Sequence, residues 1–361
     1  MGGAVPPDLF GSNAACPAAA AATLSKATQM TIRFGVIGAG RIGKVHARTI
    51  ARNSKARLAY IADALPQAAQ ALADLHGAKV ASVDEIMTAK DVDAVLIGSP
   101  TGFHAEQIQA ASKAGKAIMC EKPVSTSVES IQQTLKVVEA NQSTLMIGFQ
   151  RRFDPNFAEI QRRIRRGDIG AIEIVTLISR DPAPPPAEYV KSSGGLFRDM
   201  MIHDFDMARF LMGEEFVVVH ALGSALVDPA IGGAGDVDTA AVQMQTATGR
   251  IAVITNSRRA TYGHDQRMEV HGSKGMIHAK NIHNTTVEVL SQDGYRADPI
   301  QNFFLERYEA AYANELNAFI DAVEAGEQAP RPNGFDGLQA QMLADAATES
   351  WKTGKPVKVS R

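Results

Sequence analysis

The spacing of hydrophobic residues changes along the chain, and the change separates two regions. Between residues 32 and 150, short apolar runs alternate with longer segments whose apolar residues recur every three or four positions. The short runs predict buried strands and the longer segments predict amphipathic helices. The predicted strands are Ile32–Ile37, Arg57–Asp63, Ala94–Ile97, Ala117–Cys120 and Leu145–Gly148. The predicted helices are Ile42–Arg52, Leu65–Leu75, Ala105–Ala114 and Val128–Asn141, with a capping box at Ser82–Glu85 that opens one more.

The region after residue 150 has a different pattern. One helix, Asn156–Arg166, and one strand, Ile172–Ser179, precede a proline-rich loop at Asp181–Pro186. Apolar runs joined by Gly, Asp and Asn turns then favour an antiparallel sheet. The predicted strands of this part are Phe216–Leu222, Thr239–Thr246, Arg250–Asn256, Gln266–His271, Gly275–His278 and Thr285–Leu290. The closing helices are predicted over Phe304–Ala325 and Gly337–Lys352.

These patterns predict an α/β protein with more than one domain. At 361 residues the chain is too long for one ordinary core. Alternating strands and helices over residues 31–150 predict a doubly wound parallel sheet of the Rossmann type, and residues 151–330 predict a second α/β domain. Residues 1–30 are rich in alanine, contain prolines and carry little charge, so we expect a disordered extension there.

Composition and charge narrow the possible function classes. The chain is 45% hydrophobic and 21% charged with a net charge of −2, so no overall field would recruit nucleic acid or an anionic membrane. No apolar run reaches the ~18 residues of a membrane helix. Cys16 and Cys120 are the two cysteines, which excludes a disulfide framework and suits a reducing cytoplasm. The nine histidines form no H-x-x-x-H pair, so we expect no metal.

A glycine-rich hexapeptide follows the first predicted strand. Gly38, Gly40 and Gly43 have the G-x-G-x-x-G spacing that allows a tight turn, close approach of a pyrophosphate and close packing of a helix on a strand. Asp63 ends the second strand, where a carboxylate accepts hydrogen bonds from the adenosine ribose and repels a 2′-phosphate. We therefore predict NAD rather than NADP, and Arg41, near the phosphates, slightly qualifies that preference.

Two further loops follow strands at the edge where doubly wound sheets bind ligands. Glu121-Lys122-Pro123 follows the predicted strand Ala117–Cys120, and the proline fixes the direction in which Lys122 leaves the sheet. We favour a functional lysine over an ordinary surface lysine at this place. Ser99–His104 follows the predicted strand Ala94–Ile97, and His104 either caps the next helix or lines the nicotinamide site.

Ionisable residues interrupt an apolar segment near residue 200. Asp199 and His203 are four positions apart, so one helix would place both on the same face, with Asp206 one turn further. The spacing alone fits a buried structural pair as well as a catalytic pair. The preceding Gly194-Gly195 favours catalysis, because such glycines permit close approach of a ligand or another backbone.

Together these motifs resemble those of the Gfo/Idh/MocA oxidoreductases, over residues 31–361. The matching features are the glycine turn, the Ser99–His104 loop, Glu121-Lys122-Pro123 and the spacing from Gly194-Gly195 to His203. The resemblance implies a Rossmann domain and a second α/β domain with a large, mostly antiparallel sheet. It also implies that a C-terminal helix, within residues 331–361, packs back towards the first domain. The usual asparagine of the family's loop is Thr101 here, which departs from the pattern.

Three segments most resemble the myo-inositol dehydrogenase branch of that family, namely Gly148–Asp154, Ile202–Arg209 and Tyr262–Arg267. The resemblance implies NAD as cofactor and oxidation of myo-inositol to 2-keto-myo-inositol as the reaction. Another inositol isomer, or an aldose such as glucose, is an alternative substrate. A non-catalytic NAD-binding regulator of the same fold is a second alternative. The family also implies a homotetramer.

The resemblance further implies a set of site residues. Lys122, Asp199 and His203 would be catalytic, with His203 as general base, Asp199 holding its imidazole and Lys122 steadying the oxygen that loses its proton. The candidate substrate-binding residues are Arg152, Asp206 and Tyr262. The candidate cofactor-binding residues are Gly38, Gly40, Arg41, Ile42, Gly43, Asp63, Ser99, Pro100, His104, Glu121 and Lys122.

Overall fold

A computed structural model describes residues 31–359, so the disordered extension expected at residues 1–30 lies outside the described residues. The first part of the chain alternates strands and helices. Its strands are β1 (Ile32–Ile37), β2 (Ala56–Ala62), β3 (Lys79–Val80), β4 (Ala94–Ile97), β5 (Ala117–Glu121) and β6 (Leu145–Gly148). Its helices are α1 (Arg41–Arg52), α2 (Pro66–His76), α3 (Val83–Thr88), α4 (His104–Lys113) and α5 (Val128–Ala140).

Six parallel strands form the first sheet, in the order β3-β2-β1-β4-β5-β6. The strand order reverses between β1 and β4, so the loops after these two strands open a crevice at the carboxyl edge. Strands β1 and β4 are almost wholly buried, which explains their continuous apolar runs. The five predicted strands are present. Strand β3 is absent from the prediction because its two exposed residues form no apolar run.

The second part of the chain carries the remaining elements. Its helices are α6 (Pro155–Arg166), α7 (Ala187–Ser193), α8 (Gly195–Asp199), α9 (Ile202–Met212), α10 (Pro229–Gly233), α11 (Phe304–Arg307), α12 (Glu309–Ala325) and α13 (Gly334–Thr353). Its strands are β7 (Ile172–Arg180), β8 (Phe216–Ser224), β9 (Thr239–Thr246), β10 (Ile251–Ser257), β11 (Asp265–Gly272), β12 (Gly275–Ala279), β13 (Glu288–Ser291), β14 (Gly294–Ala297) and β15 (Val357–Lys358).

Seven of these strands form a second sheet, in the order β12-β11-β7-β10-β9-β8-β15. Strands β7 and β10 pair in parallel and the other neighbours pair antiparallel, which confirms a mostly antiparallel sheet. Every second residue of β9 is buried, so one face of the sheet packs on the core and the other lies at the surface. The strand predicted near residue 288 instead pairs with β14 in a separate two-stranded sheet.

Helix α13 contacts both sheets. Gly334 and Gly337 lie in its first turn, where a Cβ would be 2.1 Å from Leu135 Cδ2 and 3.1 Å from Val124 Cγ2, respectively. These glycines therefore let the helix approach α5 and the end of the first sheet closely. The helix also packs against α9 and β8 of the second part.

The closing helix predicted over residues 304–325 is interrupted. Helix α11 ends at Arg307 and α12 begins at Glu309, because Tyr308 departs from helical geometry with φ −112° and ψ 17°. At this break Arg307 forms a buried ion pair with Asp154. Within residues 31–359, no helix combines the length and the apolar character that crossing a bilayer requires. The same residues contain no group of three or more His, Cys, Asp or Glu side chains placed to hold a metal ion.

Candidate functional site

The glycine turn between β1 and α1 has the geometry of a phosphate-binding cradle. Gly38 adopts a φ of +104°, a conformation that favours glycine. A Cβ on Gly43 would lie 1.9 Å from the carbonyl oxygen of Gly38, so only glycine lets the helix pack this closely on the turn. A Cβ on Gly40 would meet no described atom within 4 Å, which leaves space in front of the N-terminus of α1.

Asp63 supports the same turn from the end of β2. Its Oδ2 accepts a hydrogen bond from Ala39 N at 2.6 Å, and its Oδ1 accepts one from Leu65 N at 2.8 Å. These hydrogen bonds fix the negatively charged carboxylate beside the turn. There it can accept hydrogen bonds from ribose hydroxyls, and it repels a 2′-phosphate. Arg41 lies with its guanidinium 5.6 Å from the centre of the Phe303 ring. The cradle therefore fits a dinucleotide that lacks a 2′-phosphate.

A buried histidine joins the loops that follow β4 and β5. Nδ1 of His104 lies 2.8 Å from the carbonyl oxygen of Pro123, and its Nε2 lies 2.7 Å from that of Ser99. The ring therefore ties the two loops together at the edge of the sheet. Both nitrogen atoms are used in these contacts, which favours a positioning role over the helix cap and the nicotinamide contact considered from the sequence.

Ser99 and Glu121, also expected at the cofactor, contact neighbouring helices. Ser99 Oγ donates to Gln107 Oε1 at 2.6 Å. Glu121 Oε1 lies 2.7 Å from Nε2 of buried His46 on α1. The carboxylate is thus committed to a partner within the protein, which favours a supporting role for Glu121 before Lys122.

Lys122 and Asp199 are in contact although they are 77 positions apart in the chain. Nζ of Lys122 donates to the main-chain carbonyl oxygen of Asp199 at 2.7 Å and to its carboxylate Oδ1 at 3.3 Å. The two side chains are 15% and 17% exposed, so the ion pair is partly shielded from water. The end of β5 and the end of α8 therefore meet at one point.

Asp199 and His203 lie on two helices, so the prediction of one shared helix is wrong. Helix α8 ends at Asp199, and α9 begins three residues later. Before them, Gly195 adopts a φ of +84°, and a Cβ there would lie 2.6 Å from Asp236 Oδ1. Asp236 Oδ2 accepts a hydrogen bond from Leu196 N at 2.9 Å. The group that approaches this glycine closely is therefore a side chain of the protein itself.

The imidazole of His203 is neutral near pH 7. Its pKa lies well below 6.5 because burial removes water from the ring and because Lys122 and Arg151 add positive charge nearby. Nδ1 has no hydrogen-bond partner in the part of the chain that the structure describes. The ring stands edge-on to Phe149, with 6.1 Å between the ring centres. A neutral imidazole is the form that accepts a proton.

The carboxylate of Asp199 contacts groups other than His203. Besides Lys122, its Oδ1 accepts a hydrogen bond from Tyr189 OH at 3.1 Å, and its Oδ2 lies 3.7 Å from Nη2 of Arg258. No hydrogen bond joins Asp199 to His203 among residues 31–359. We therefore correct the expectation that Asp199 holds the imidazole. The break between α8 and α9 directs this carboxylate to Lys122 instead.

Arg152 and Asp206 form a fully buried ion pair. Nε and Nη2 of Arg152 donate to Oδ2 and Oδ1 of Asp206 at 2.7 and 2.6 Å. Asp336 on α13 lies 3.0 Å from Nη2 of Arg152 and 3.2 Å from Nη1 of Arg209. The cluster joins the segment after β6 to α9 and α13. Because these charges already have partners, the cluster opposes the substrate-binding role expected of Arg152 and Asp206.

Tyr262, the third expected substrate-binding residue, lies in the loop between β10 and β11. Its side chain is exposed, and its hydroxyl donates to Asp265 Oδ2 at 2.7 Å and accepts from Arg180 Nη1 at 3.0 Å. Two residues on, His264 is buried, and its Nδ1 lies 3.4 Å from Oδ1 of Asp181. The loop therefore holds a tyrosine hydroxyl and an imidazole, each beside a carboxylate.

A polar cluster beside His203 was not predicted from the sequence. Arg151 Nη1 donates to Asp204 Oδ1 at 2.7 Å, and Asn256 Nδ2 donates to Asp204 Oδ2 at 3.0 Å. Arg258, two residues beyond Asn256, is 2% exposed. A signal for these residues exists in the alternation of β10, because Asn256 and Arg258 continue the inward-facing series of that strand. Polar residues at inward positions are unusual and mark a site.

Family models match both parts of the chain. A model described as an oxidoreductase family with an NAD-binding Rossmann fold matches residues 32–149. A model described as the C-terminal alpha/beta domain of the same oxidoreductase family matches residues 161–359. The first match agrees with the cradle and the strand order of the first sheet.

Curated and structurally solved relatives are similar over nearly the whole chain. Inositol 2-dehydrogenase of Rhizobium meliloti (strain 1021) is 52% identical over 331 residues, which cover 92% of this chain and 100% of the relative. The structure of a myo-inositol dehydrogenase from Corynebacterium glutamicum ATCC 13032 has a TM-score of 0.88 at 43% identity, covering 92% of this chain and 100% of that one. Scyllo-inositol dehydrogenase from Lactobacillus casei, solved with bound NAD(H) and scyllo-inositol, has a TM-score of 0.85 at 32% identity and covers 92% and 100%.

Proposed function

Because this chain belongs to the Gfo/Idh/MocA family of oxidoreductases, we propose that it oxidises myo-inositol to 2-keto-myo-inositol with NAD. The observation that carries the proposal is the contact between Lys122 and Asp199 at the carboxyl edge of the first sheet. Lys122 is also close enough to His203 for its charge to lower the pKa of that imidazole. A cation and a proton acceptor thus lie at the edge where the glycine turn fits a dinucleotide.

Unsatisfied polar atoms support a polyol as the substrate. Nδ1 of His203, Oδ1 of Asn256 and Nη2 of Arg258 are buried and have no hydrogen-bond partner among the described residues. Leaving such atoms unpaired is unfavourable by about 1–3 kcal/mol each. Hydroxyl groups both donate and accept hydrogen bonds, so one polyol can satisfy donors and acceptors together.

The residues of this site suit removal of a proton from an alcohol. NAD, when bound, supplies the acceptor for the hydride that leaves the carbinol carbon. His203 accepts the proton of the reacting hydroxyl. Lys122 donates a hydrogen bond to the same oxygen and so stabilises the negative charge that develops there. Asp199 holds the ammonium through its carbonyl and carboxylate oxygens and acts as a positioning residue.

A scyllo-inositol dehydrogenase is the second candidate. The observation that favours it is the similarity to the Lactobacillus casei enzyme solved with scyllo-inositol. Epimers differ only in the direction of individual hydroxyls, so both substrates would use the same general base and the same lysine. An aldose such as glucose, and a regulator that binds NAD without turnover, are more distant alternatives.

A substrate panel tests the proposal. NADH formation is measured with myo-, scyllo- and chiro-inositol and with glucose, using NAD and NADP in parallel. We expect the highest kcat/KM with myo-inositol and NAD. A higher kcat/KM with another compound would replace the substrate assignment. Binding of NAD without turnover of any of these compounds would favour the regulator.

We also propose that the protein acts in the cytoplasm, in inositol breakdown, as a homotetramer. The surface face of the second sheet supports self-association, because it carries the exposed apolar side chains of Ile174, Leu222 and Ile251. Light scattering of the purified protein measures the assembly directly. A monomer at micromolar concentration would contradict the tetramer.

A further inference from the structure

Arg258 presents an unusual buried guanidinium. Its side chain follows β10, and the residue is 2% exposed. Nε and Nη2 have no hydrogen-bond partner among residues 31–359. A buried guanidinium loses its hydration, so two unsatisfied donors are strongly unfavourable unless another molecule completes them. The proton and hydride transfers proposed above do not use this side chain.

Nε and Nη2, the two atoms without a hydrogen bond, form one edge of the guanidinium. Elsewhere in this chain the same edge binds two oxygens at once. Nε and Nη2 of Arg152 donate to the two oxygens of Asp206, and those of Arg33 donate to the two oxygens of Asp93 at 2.8 and 2.7 Å. This edge is therefore suited to a pair of adjacent oxygen atoms.

The position of Arg258 places that edge beside the proposed reaction site. Nη2 lies 3.7 Å from Oδ2 of Asp199, and the other carboxylate oxygen of Asp199 accepts from Lys122. A ligand that contacts Lys122 near Asp199 would also be within reach of Arg258. Lys122 and Arg258 thus lie beside different oxygens of the same carboxylate.

The charges around this space favour a neutral ligand over an anion. Lys122 and Arg258 both pair with the carboxylate of Asp199, and Arg258 also acts electrostatically on Asp236. Arg151, the other cation near His203, is paired with Asp204. The positive groups are therefore matched by carboxylates, which leaves no excess positive charge for an anionic substrate. Adjacent hydroxyls of a ring polyol offer two neutral acceptor oxygens at neighbouring positions.

We propose that Arg258 binds two adjacent hydroxyl oxygens of the substrate through its Nε and Nη2 edge and thereby determines which ring isomer is accepted. The inference rests on the proposed polyol dehydrogenase function and names a further residue of that site. A ring isomer with either of these hydroxyls in the opposite orientation loses one of the two hydrogen bonds. Discrimination between isomers follows from that loss.

The test compares substrate analogues in two variants. Arg258→Met removes the guanidinium, and Arg259→Met removes the neighbouring exposed arginine as a matched control. For each protein, kcat/KM is measured with myo-inositol and with the series of monodeoxy-inositols. For the wild type, we expect kcat/KM to fall about 10–100-fold with two of these analogues, each of which lacks one of two neighbouring hydroxyls. Arg258→Met should be about 100-fold slower with myo-inositol and show no further loss with those two analogues.

Three additional measurements separate this role from a structural one. The affinity for NAD should match that of the wild type in every variant. Arg258→Lys keeps the charge without the two-donor edge, so it should remain impaired, and it replaces Arg258→Met if that protein does not fold. Added guanidinium ion should restore part of the activity of Arg258→Ala. If Arg258 had only a structural role, its variants would show the same relative loss of kcat/KM with each monodeoxy-inositol as the wild type.

The outcomes distinguish this inference from the proposed function. One outcome is that the wild type oxidises inositol and that Arg258→Met shows the same relative loss of kcat/KM with each monodeoxy-inositol as the wild type. The inference is then wrong and the function stands. If Arg258→Met loses activity only with a ring carboxylate such as glucuronate, the edge binds an anion and the inference is also wrong. If the wild type oxidises no polyol, both the function and the inference fail.

Discussion

The Lys122 ammonium donates a 2.7 Å hydrogen bond to the main-chain carbonyl oxygen of Asp199, and this contact ties the first sheet to the segment that carries His203. The carboxylate of Asp199 also serves Lys122, at 3.3 Å, and not the imidazole. The charge of Lys122 therefore lowers the pKa of His203 although Asp199 forms hydrogen bonds with the lysine only.

The pH dependence of turnover should reflect this arrangement. Because the pKa of His203 lies well below 6.5, the imidazole stays unprotonated as the pH falls past 6.5. We expect kcat/KM for the polyol to fall only when the pH approaches that lowered pKa. Lys122→Met removes one of the charges that lower the pKa, so the acid limb of the residual activity should move to higher pH. The measurement is kcat/KM across about pH 5 to 8 at constant ionic strength.

Two results would contradict this prediction. One is an acid limb at or above pH 6.5 in the wild type, which would require an imidazole of ordinary pKa. The other is an acid limb that does not move in Lys122→Met, which would show that the lysine charge does not reach the general base.

Asp63 should control the choice of dinucleotide. Asp63→Ser removes the negative charge beside the glycine turn and the hydrogen bonds that Ala39 and Leu65 donate to the carboxylate. We expect the affinity for NAD to fall about 10–100-fold, since charged hydrogen bonds contribute about 1.5–3 kcal/mol. The relative use of NADP should rise because the repulsion of a 2′-phosphate is lost. Titration of both cofactors, followed by fluorescence, measures the two affinities, and an unchanged NAD to NADP ratio would speak against this role.

Asp206 should act on stability more than on substrate binding. Asp206→Ala leaves the buried Arg152 without its main partner, so the free energy of unfolding should fall by about 3–5 kcal/mol. Asp168→Ala is the matched control, because its pairing with Arg166 is exposed and screened by water. Urea unfolding of both variants measures the difference. A raised KM at wild-type stability in Asp206→Ala would restore the substrate-binding role.

Glu315 should make stability depend on pH. Its carboxyl group is buried without a hydrogen-bond partner in the described chain, and burial, together with the charge of Glu121, raises its pKa well above 4.5. The folded state therefore keeps a proton that the unfolded state releases above about pH 4.5. Stability due to this group is full below that pH and declines as the pH rises, by about 1.4 kcal/mol for each pH unit up to the raised pKa.

Glu315→Gln removes this titration and retains the size of the side chain. The variant should gain stability relative to the wild type between pH 5 and pH 8, with the larger gain at pH 8. Urea unfolding at the two pH values provides the comparison. Equal differences at both pH values would mean that the carboxyl group titrates normally in the folded protein.

Local patterns made much of the fold predictable from the sequence. The glycine turn at residues 38–43 and the buried strands around it depend on neighbouring residues, whose spacing is visible in the chain. The antiparallel strands of the second sheet were visible through alternating apolar positions for the same reason. Strands β3 and β15 were not predicted, because each has only two residues and is positioned by pairing with a neighbouring strand.

The candidate site is formed by contacts between segments that are far apart in the chain, so less of it than of the fold could be predicted from the sequence. The helix break after Asp199 follows from tertiary packing, which overrides the i, i+4 spacing to His203. The pairing of Arg152 with Asp206 could not be distinguished from a substrate contact, because both roles require buried charges. Arg258 was missed since no motif surrounds it, although it continues the inward series of β10.

A stopped-flow measurement of NADH formation with myo-inositol decides whether His203 and its surroundings form a dehydrogenase site. The wild type should form NADH, and His203→Ala should do so about 10²–10⁴-fold more slowly while binding NAD with unchanged affinity. His278→Ala, on the exposed strand β12, should match the wild type. A wild-type rate in His203→Ala, or no NADH from the wild-type protein, would contradict the assignment.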